Sequence, residues 1–359
     1  MPRIAVIEGD DASPEAMRPC VALLERVSQR HALDIEWVYP EIGEAAREAH
    51  GTTFPDGARA MIDTADTTYF GSTSGSASAA LFYLRWGKET FANVRPVRYF
   101  PGARSPLAHP QGIDFVIVRE NLEDMYVGVE GDLEELAGLN LGSRTRRGPL
   151  SELGEGRFAM KAITREGTER VVRFAFELAR RRAAAAGRDA HLTCTTKYNM
   201  LARSDGYFRD IAQDLAAGYP DVRFDTFIID DFACRMITQP HTFDVVVMPN
   251  LYGDIMSDGA AGLIGGLGLA PSGCYGHRYA YFESAHGTAP DIAGRNIINP
   301  TATLLSGTMM LDYLGFAEAA RAVDDAVARV YADGNCLTPD QGGSASTTAF
   351  CEAVAAQLV

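Results

Sequence analysis

The chain has no CxxC pair, no apolar run long enough to span a membrane, and no GxGxxG turn after its first apolar segment, Ile4 to Ile7. Each absence excludes something. The six cysteines (Cys20, Cys194, Cys234, Cys274, Cys336 and Cys351) are scattered, which argues against a zinc site or a disulfide frame and for reduced, mostly buried thiols. No stretch approaches the roughly 20 apolar residues of a transmembrane helix. The apolar run behind Met1-Pro2-Arg3 is too short for a secretory signal and is followed at once by acids. A cytoplasmic protein with no membrane partner is expected. Without GxGxxG, any dinucleotide must be held by something other than the simple Rossmann phosphate turn. Positive charge is also scarce: 33 Lys and Arg face 47 Asp and Glu, a net charge of −14. A generic nucleic-acid partner is thereby disfavoured. An anionic substrate would be repelled at long range, so a site for one must gather its own cations.

What is present is a sequence rich enough in apolar residues, 47% of 359, to pack two domains or one large α/β unit. Short apolar runs at 4–7, 35–39, 67–71, 115–118 and 243–248 read as strands. Amphipathic spacing near 168–183, 205–217 and 316–331 reads as helix. Alternating strands and helices predict an α/β fold with largely parallel strands. Residues 129–160 are Gly-rich and charged with weak periodicity, the mark of a functional or intersubunit insertion.

The most informative local pattern is Asn250-Leu251-Tyr252-Gly253-Asp254-Ile255-Met256-Ser257-Asp258. Asp254 and Asp258 are four apart and share one helix face. Two carboxylates so placed repel unless a cation lies between them, and hard oxygen ligands suit Mg²⁺ or Mn²⁺. The alternative is a helix cap at Asp254 with Asp258 in solvent. Asp230-Asp231 is a second acidic pair, after an apolar run; a ligand at a strand end and an exposed turn are both open there. Arg85, Arg95 and Arg119 sit in apolar or strand-edge surroundings. Arginine holds carboxylates bidentately, so three of them can form a cationic pocket, although any one alone reads as an ordinary salt bridge. Lys197, just after a strand, is a candidate base, and Tyr126 a candidate proton donor. His286-Gly287-Thr288-Ala289-Pro290-Asp291 has small residues for close backbone approach and an acid for ribose hydroxyls.

In this order the motifs are specific. Phe91 to Pro96, Val118 to Asn121, Lys197-Tyr198-Asn199, Asn250 to Asp258, His286 to Gly294 with Asn299-Pro300, and Gly342-Gly343-Ser344 make the chain resemble the β-decarboxylating dehydrogenases, the isocitrate/3-isopropylmalate dehydrogenase family. The resemblance runs nearly end to end. It implies a two-domain fold, with 1–90 and 266–359 forming a large NAD-binding domain. The segment 91–265 would form a smaller dimerisation domain, with an intersubunit clasp at about 129–160. It implies that Arg85, Arg95 and Arg119 grip malate carboxylates, Tyr126 donates a proton and Lys197 acts on the 2-hydroxyl. Asp230, Asp254 and Asp258 would bind the metal, with Lys197 and Asp230 supplied by the partner of a homodimer or larger oligomer. Asn199 would lie near the nicotinamide, and His286, Gly287, Ala289, Asp291, Ile292 and Asn299 at the adenosine. Asp291-Ile292 favours NAD, because an acid pairs with free ribose hydroxyls and repels a 2′-phosphate; NADP-using relatives carry Lys and Tyr there.

The pattern departs in two places. Isocitrate enzymes of the bacterial type offer Ser and Asn to the third carboxylate, where this chain has Ala79 and Leu81 followed by Phe82. A buried carboxylate without donors is costly, so a 3-substituted malate with an apolar substituent is expected, 3-isopropylmalate or another 3-alkylmalate first. The stretch from Arg95 to Glu130 reads closer to isocitrate dehydrogenases, and Tyr83 resembles homoisocitrate dehydrogenases. A phosphonomethylmalate is a further alternative, with Ser72, Ser74, Ser76 and Ser78 as donors. A non-catalytic regulatory subunit on the same fold would lack part of the acid and arginine set, which is complete here. The first loop reads Gly9-Asp10-Asp11-Ala12-Ser13-Pro14-Glu15, where relatives carry glycine at 11 and 13. That loss removes backbone freedom.

Overall fold

The computed structural model describes residues 1–139, 141–143 and 147–358. Its strands are β1 (Arg3–Ile7), β2 (Glu36–Val38), β3 (Thr67–Phe70), β4 (Ala92–Arg98), β5 (Asp114–Glu120) and β6 (Glu130–Asp132). They continue as β7 (Arg157–Ala159), β8 (Ala190–Thr196), β9 (Val222–Ile228), β10 (Val245–Met248), β11 (Pro271–Tyr275) and β12 (Ala280–Ser284). The helices are α1 (Ser13–Arg30), α2 (Gly43–His50), α3 (Asp56–Asp63), α4 (Ser78–Phe82), α5 (Arg165–Ala186) and α6 (Asp205–Ala216). After them come α7 (Ile229–Thr238), α8 (Asn250–Ile264), α9 (Thr301–Tyr313), α10 (Ala317–Asp333) and α11 (Thr347–Ala356).

Ten strands form one sheet in the order β2-β1-β3-β12-β11-β4-β5-β10-β8-β9. The pairs β12–β11, β11–β4 and β4–β5 are antiparallel and the remaining six are parallel. The sheet is thus mixed, with its antiparallel strands in the middle. The boundaries expected near 91 and 265 fall just before β4 and just after α8, and the sheet runs unbroken across both. Both faces are covered, so the buried strands read as continuous apolar runs rather than as alternation. In β5, Phe115 and Ile117 join the core that also holds Ile4, Leu24, Phe282 and Val327. Val116 and Val118 face a second core with Val171 and Phe176 of α5 and Phe208 of α6. A third core lies between β1, β3 and the α4 region, through Ile7, Phe70, Ala80 and Leu84.

Within 129–160, β6 and β7 form an antiparallel ribbon; residues 140 and 144–146 of this segment lie outside the described residues. Of the cysteines, Cys20, Cys194, Cys274 and Cys351 are buried free thiols, Cys336 is half-buried and Cys234 exposed. Among the described residues no helix is long and apolar enough to cross a membrane.

The first loop turns without glycine at positions 11 and 13. Asp11 takes φ 53° and Gly9 φ 81°; aspartate is among the few non-glycine residues that tolerate the left-handed region. Ser13 enters α1, and its hydroxyl donates to the Glu8 carbonyl at 2.9 Å.

Candidate active site

All but one of the expected site residues lie at or beyond the carboxyl end of a strand, where open α/β sheets bind ligands. The residues from Ala79 to Arg85 follow β3, and Arg119 and Tyr126 follow or end β5. Lys197 and Asn199 follow β8, Asp230 follows β9, Asp254 and Asp258 follow β10, and His286 to Asn299 follow β12. Arg95, inside β4, is the exception; its strand runs antiparallel to β5 and faces Arg119 through Asn93.

The helix α8 carries the centre of the site. Pro249 occupies its N-cap, and Asp254 is a full turn inside. Asp254 is therefore not a cap, which corrects that alternative; Asp258 sits four residues on, on the same face. Asp254 accepts from Arg119 Nη1 through one oxygen and from the Tyr126 hydroxyl at 2.7 Å through the other. Arg119 is buried, and its Nε donates to Asn250 Oδ1 at 2.7 Å. Arg95 is buried too, with Nε on Asn93 Oδ1 at 3.0 Å and Nη1 3.6 Å from Asp258. Neither asparagine was singled out from sequence, although both stand inside the quoted motifs. Burial, and then Asp254, push the Asp258 carboxyl above its ordinary range, against the pull of Arg95 and Arg119. Burial and Asp254 likewise raise the Tyr126 phenol, which keeps it a proton carrier. Arg85 leaves a buried Nε without a partner. Burial works against its charge, but Tyr281 and Glu283 beside it hold the guanidinium above its ordinary value.

Lys197 and Asp230 form a separate ion pair. Asp230 lies in the first turn of α7 rather than in a loop at the strand end. Lys197 lowers the Asp230 carboxyl. Asn199 is exposed in the turn after Lys197. Among the described residues no three ligating side chains of one chain stand close enough to share a metal ion, so Asp230 is not gathered with Asp254 and Asp258.

The substituent positions divide. Ala79 and Phe82 are exposed, and Phe82 pairs with Trp86 at a ring distance of 4.9 Å. Leu81 is instead half-buried against the third core, so it does not share their face. Two of the four serines, Ser72 and Ser76, are committed. Ser72 donates to the His286 carbonyl at 2.6 Å, while Ser76 and Thr73 donate to the Asp10 carboxylate.

In the loop after β12, His286 shares Nδ1 with the Gly287 carbonyl at 2.8 Å, while Nε2 is buried and unpartnered. Burial lowers its basicity, so the ring is neutral and Nε2 is a bare acceptor. Ala289 holds φ 49°, and it packs with Ile292 on Ala12, the N-cap of α1, and on Ala16. Asp291 is exposed. Asn299 spends its side chain on Asp340, Tyr331 and the Thr301 amide, which leaves only its main chain for a ligand. Glu15, not identified from sequence as functional, accepts from the Gly294 and Asn296 amides and pins this loop to α1.

Glu120, between Arg119 and the Tyr126 turn, is buried. Burial pushes its carboxyl from 4.5 up to about 7, against lowering by the Leu122 and Glu123 amides. The folded chain thus binds this proton more tightly than the unfolded chain does. The stability it contributes is complete below pH 4.5 and lost as pH rises through 7. Glu120→Gln carries no such penalty. Its stability relative to the parent should therefore improve from pH 5 to pH 8, by up to about 3 kcal/mol, read by denaturant titration at both pH values.

The geometry defines a class first: a mixed α/β chain whose acids and arginines gather beyond the carboxyl ends of its strands, suited to a small polyanion. Residues 3–354 match the family model for isocitrate/isopropylmalate dehydrogenase. The chain is 40% identical over 361 residues to a 3-isopropylmalate/3-methylmalate dehydrogenase of Methanocaldococcus jannaschii, covering 100% of this chain and 99% of that one. It is 39% identical to an isocitrate/homoisocitrate dehydrogenase of Thermus thermophilus, covering 99% and 98%. Among solved structures, isocitrate dehydrogenase from Methylococcus capsulatus superposes with a TM-score of 0.85 at 34% identity, covering 100% and 99%. The chain belongs to the isocitrate/isopropylmalate dehydrogenase family. It is a metal-dependent dehydrogenase that decarboxylates a small hydroxyacid.

Proposed function

We propose that this enzyme uses NAD to oxidise and decarboxylate an (R)-malate with an apolar 3-substituent, 3-isopropylmalate or another 3-alkylmalate, in a homodimer that shares its active sites. The observation that carries this reading is the composition of the substituent wall. Ala79 and Phe82 offer no donor, and two of the four serines that could serve a phosphonate, Ser72 and Ser76, are spent on His286 and Asp10. Relatives from M. jannaschii and Archaeoglobus fulgidus, at 40% and 38% identity, carry 3-isopropylmalate in their names. Isocitrate or homoisocitrate is the competing substrate, supported by the T. thermophilus relative.

Arg85, with its unpaired Nε, and Arg95 and Arg119, each steadied by an asparagine, take the malate carboxylates. Lys197 removes the 2-hydroxyl proton, and Tyr126 returns a proton to carbon after carbon dioxide leaves. Asp254 and Asp258, paired on one helix face with a carboxyl raised by burial, suit Mg²⁺ or Mn²⁺, with Asp230 of the partner subunit as third ligand. When bound, that cation acidifies the hydroxyl and offsets charge that develops on oxygen. The bare Nε2 of His286 suits the adenine amine, and the exposed Asp291 suits free ribose hydroxyls, which favours NAD over NADP. Exposed Val129, Leu139, Leu141, Met160, Ile237 and Ile255 supply apolar surface for the second copy.

The test is NADH formation with Mg²⁺ or Mn²⁺ on isocitrate, homoisocitrate, 3-isopropylmalate, D-malate, tartrate and phosphonomethylmalate. The kcat/KM for 3-isopropylmalate should exceed that for isocitrate by about 10²-fold, the cost of an unmatched buried carboxylate. Isocitrate turnover at a low KM refutes the apolar pocket. A second expectation concerns the cofactor loop. Glu15→Ala leaves two loop amides without their acceptor, so the KM for NAD should rise about tenfold while the KM for the hydroxyacid holds, in initial-rate kinetics.

A further inference from the structure

Lys161 lies at the base of the 129–160 segment, in no motif, between two carboxylates. Its Nζ is 3.1 Å from Asp124 Oδ1 and 2.8 Å from Asp205 Oδ2, and both aspartate side chains are fully buried. The ammonium also sits 4.4 Å from the centre of the Tyr252 ring, and the Tyr252 hydroxyl meets Asp205. Each aspartate holds something else. Asp124 Oδ2 accepts the Leu251 amide at 2.8 Å, at the start of the helix that carries Asp254 and Asp258. Asp124 itself stands two residues before Tyr126 at φ 70°, a conformation that an aspartate keeps only when its surroundings impose it. Two main-chain hydrogen bonds to Ala162, the residue after Lys161, also hold it there. Asp205 Oδ1 accepts the Lys197 amide at 2.9 Å.

We infer that Lys161 is a positioning residue that fixes the Tyr126 turn and the Lys197 backbone from one buried cation. The inference rests on the roles proposed above for Tyr126 and Lys197. In a dimer with shared sites the two groups serve different active sites, so Lys161 also ties one site to the other through a single chain. No substrate contact is assigned to it. Two of the arginines proposed to bind the hydroxyacid, Arg95 and Arg119, have their own partners, Asn93 and Asn250.

The experiment compares Lys161→Met, Lys161→Arg and Lys161→Met/Asp124→Asn with Tyr126→Phe and Lys197→Met, all as full-length enzyme. The double variant keeps the net charge of the buried group while cutting both links, so it guards against simple failure to fold. In both Met variants kcat should fall at least about tenfold with the hydroxyacid KM within about twofold, since only the reacting groups lose their aim. The Arg variant should recover most of kcat, because it restores both ion pairs. A Lys161→Met enzyme that melts lower yet keeps its kcat and pH–rate profile overturns the inference. So does a folded double variant with parental kcat, or an Arg variant as slow as the Met variant. If Tyr126→Phe and Lys197→Met themselves keep full activity, it is the assignment of those two residues that falls.

Discussion

Tyr126→Phe chains mixed with Lys197→Met chains are expected to recover activity that neither has alone. On the roles proposed for Tyr126 and Lys197, each single variant loses a proton-transfer group, worth about 10² to 10⁴ in rate. Tyr126 bonds Asp254 beside Arg119, whereas Lys197 is paired with Asp230. Among the described residues the three acids are not gathered within one chain. In the proposed two-fold dimer each site would be completed by the partner's Lys197 and Asp230. A mixed dimer then has one site with both residues intact and one with neither. Free exchange makes half of the dimers mixed, so recovery should reach about a quarter of the parental rate. The assay is NADH absorbance after subunit exchange, with each variant alone as reference. Mixtures no faster than their parents would place both residues in one chain's own site and remove the shared-site reading.

Much of this arrangement is legible in the sequence because the chemistry is concentrated in short segments after strands. The four-residue spacing of Asp254 and Asp258 predicts one helix face, and α8 supplies it. The apolar run before Lys197 predicts a strand end, and β8 stops at Thr196. The middle of the sheet is harder to read. The strands β11 and β12, Pro-Ser-Gly-Cys-Tyr and Ala-Tyr-Phe-Glu-Ser, lack both alternation and a β-branched run. Their register comes from neighbours distant in sequence. The helix α9 is buried on nearly every side, so its apolar residues show no stripe to mark a helix. Partnership is hardest of all. That Glu15 holds Gly294, that Asn299 is consumed by Asp340, or that Leu81 turns to the core depends on contacts between segments tens to hundreds of residues apart. The first loop shows the converse. Its lost glycines remove backbone freedom, and Asp11 adopts the left-handed conformation itself.

Gly253→Ala should cost about 10² in kcat/KM while the fold survives. Gly253 sits on α8 against β5, and a methyl there would lie 2.5 Å from Arg119 Cβ, 2.6 Å from its Cγ and 3.0 Å from its Cα. Those atoms belong to a buried side chain already fixed by Asn250 and Asp254, so they cannot swing aside. Either α8 moves off the sheet or the guanidinium is displaced, and each separates Arg119 from Asp254. Overpacking of this kind costs about 1–3 kcal/mol of stability, within reach of a chain with cores on both sheet faces. An error of about 1 Å in the reacting groups is enough for the kinetic loss. Gly262→Ala is the control: it lies in the same helix, with nothing within 4 Å of the new methyl, and it should keep the parental rate. The pair separates two explanations, helix propensity and site geometry. Alanine favours the helix at both positions by about 1 kcal/mol, so only the approach of Gly253 to Arg119 can make them differ. Equal activity in the two variants would mean that α8 slides along β5 without disturbing the carboxylate and guanidinium pair.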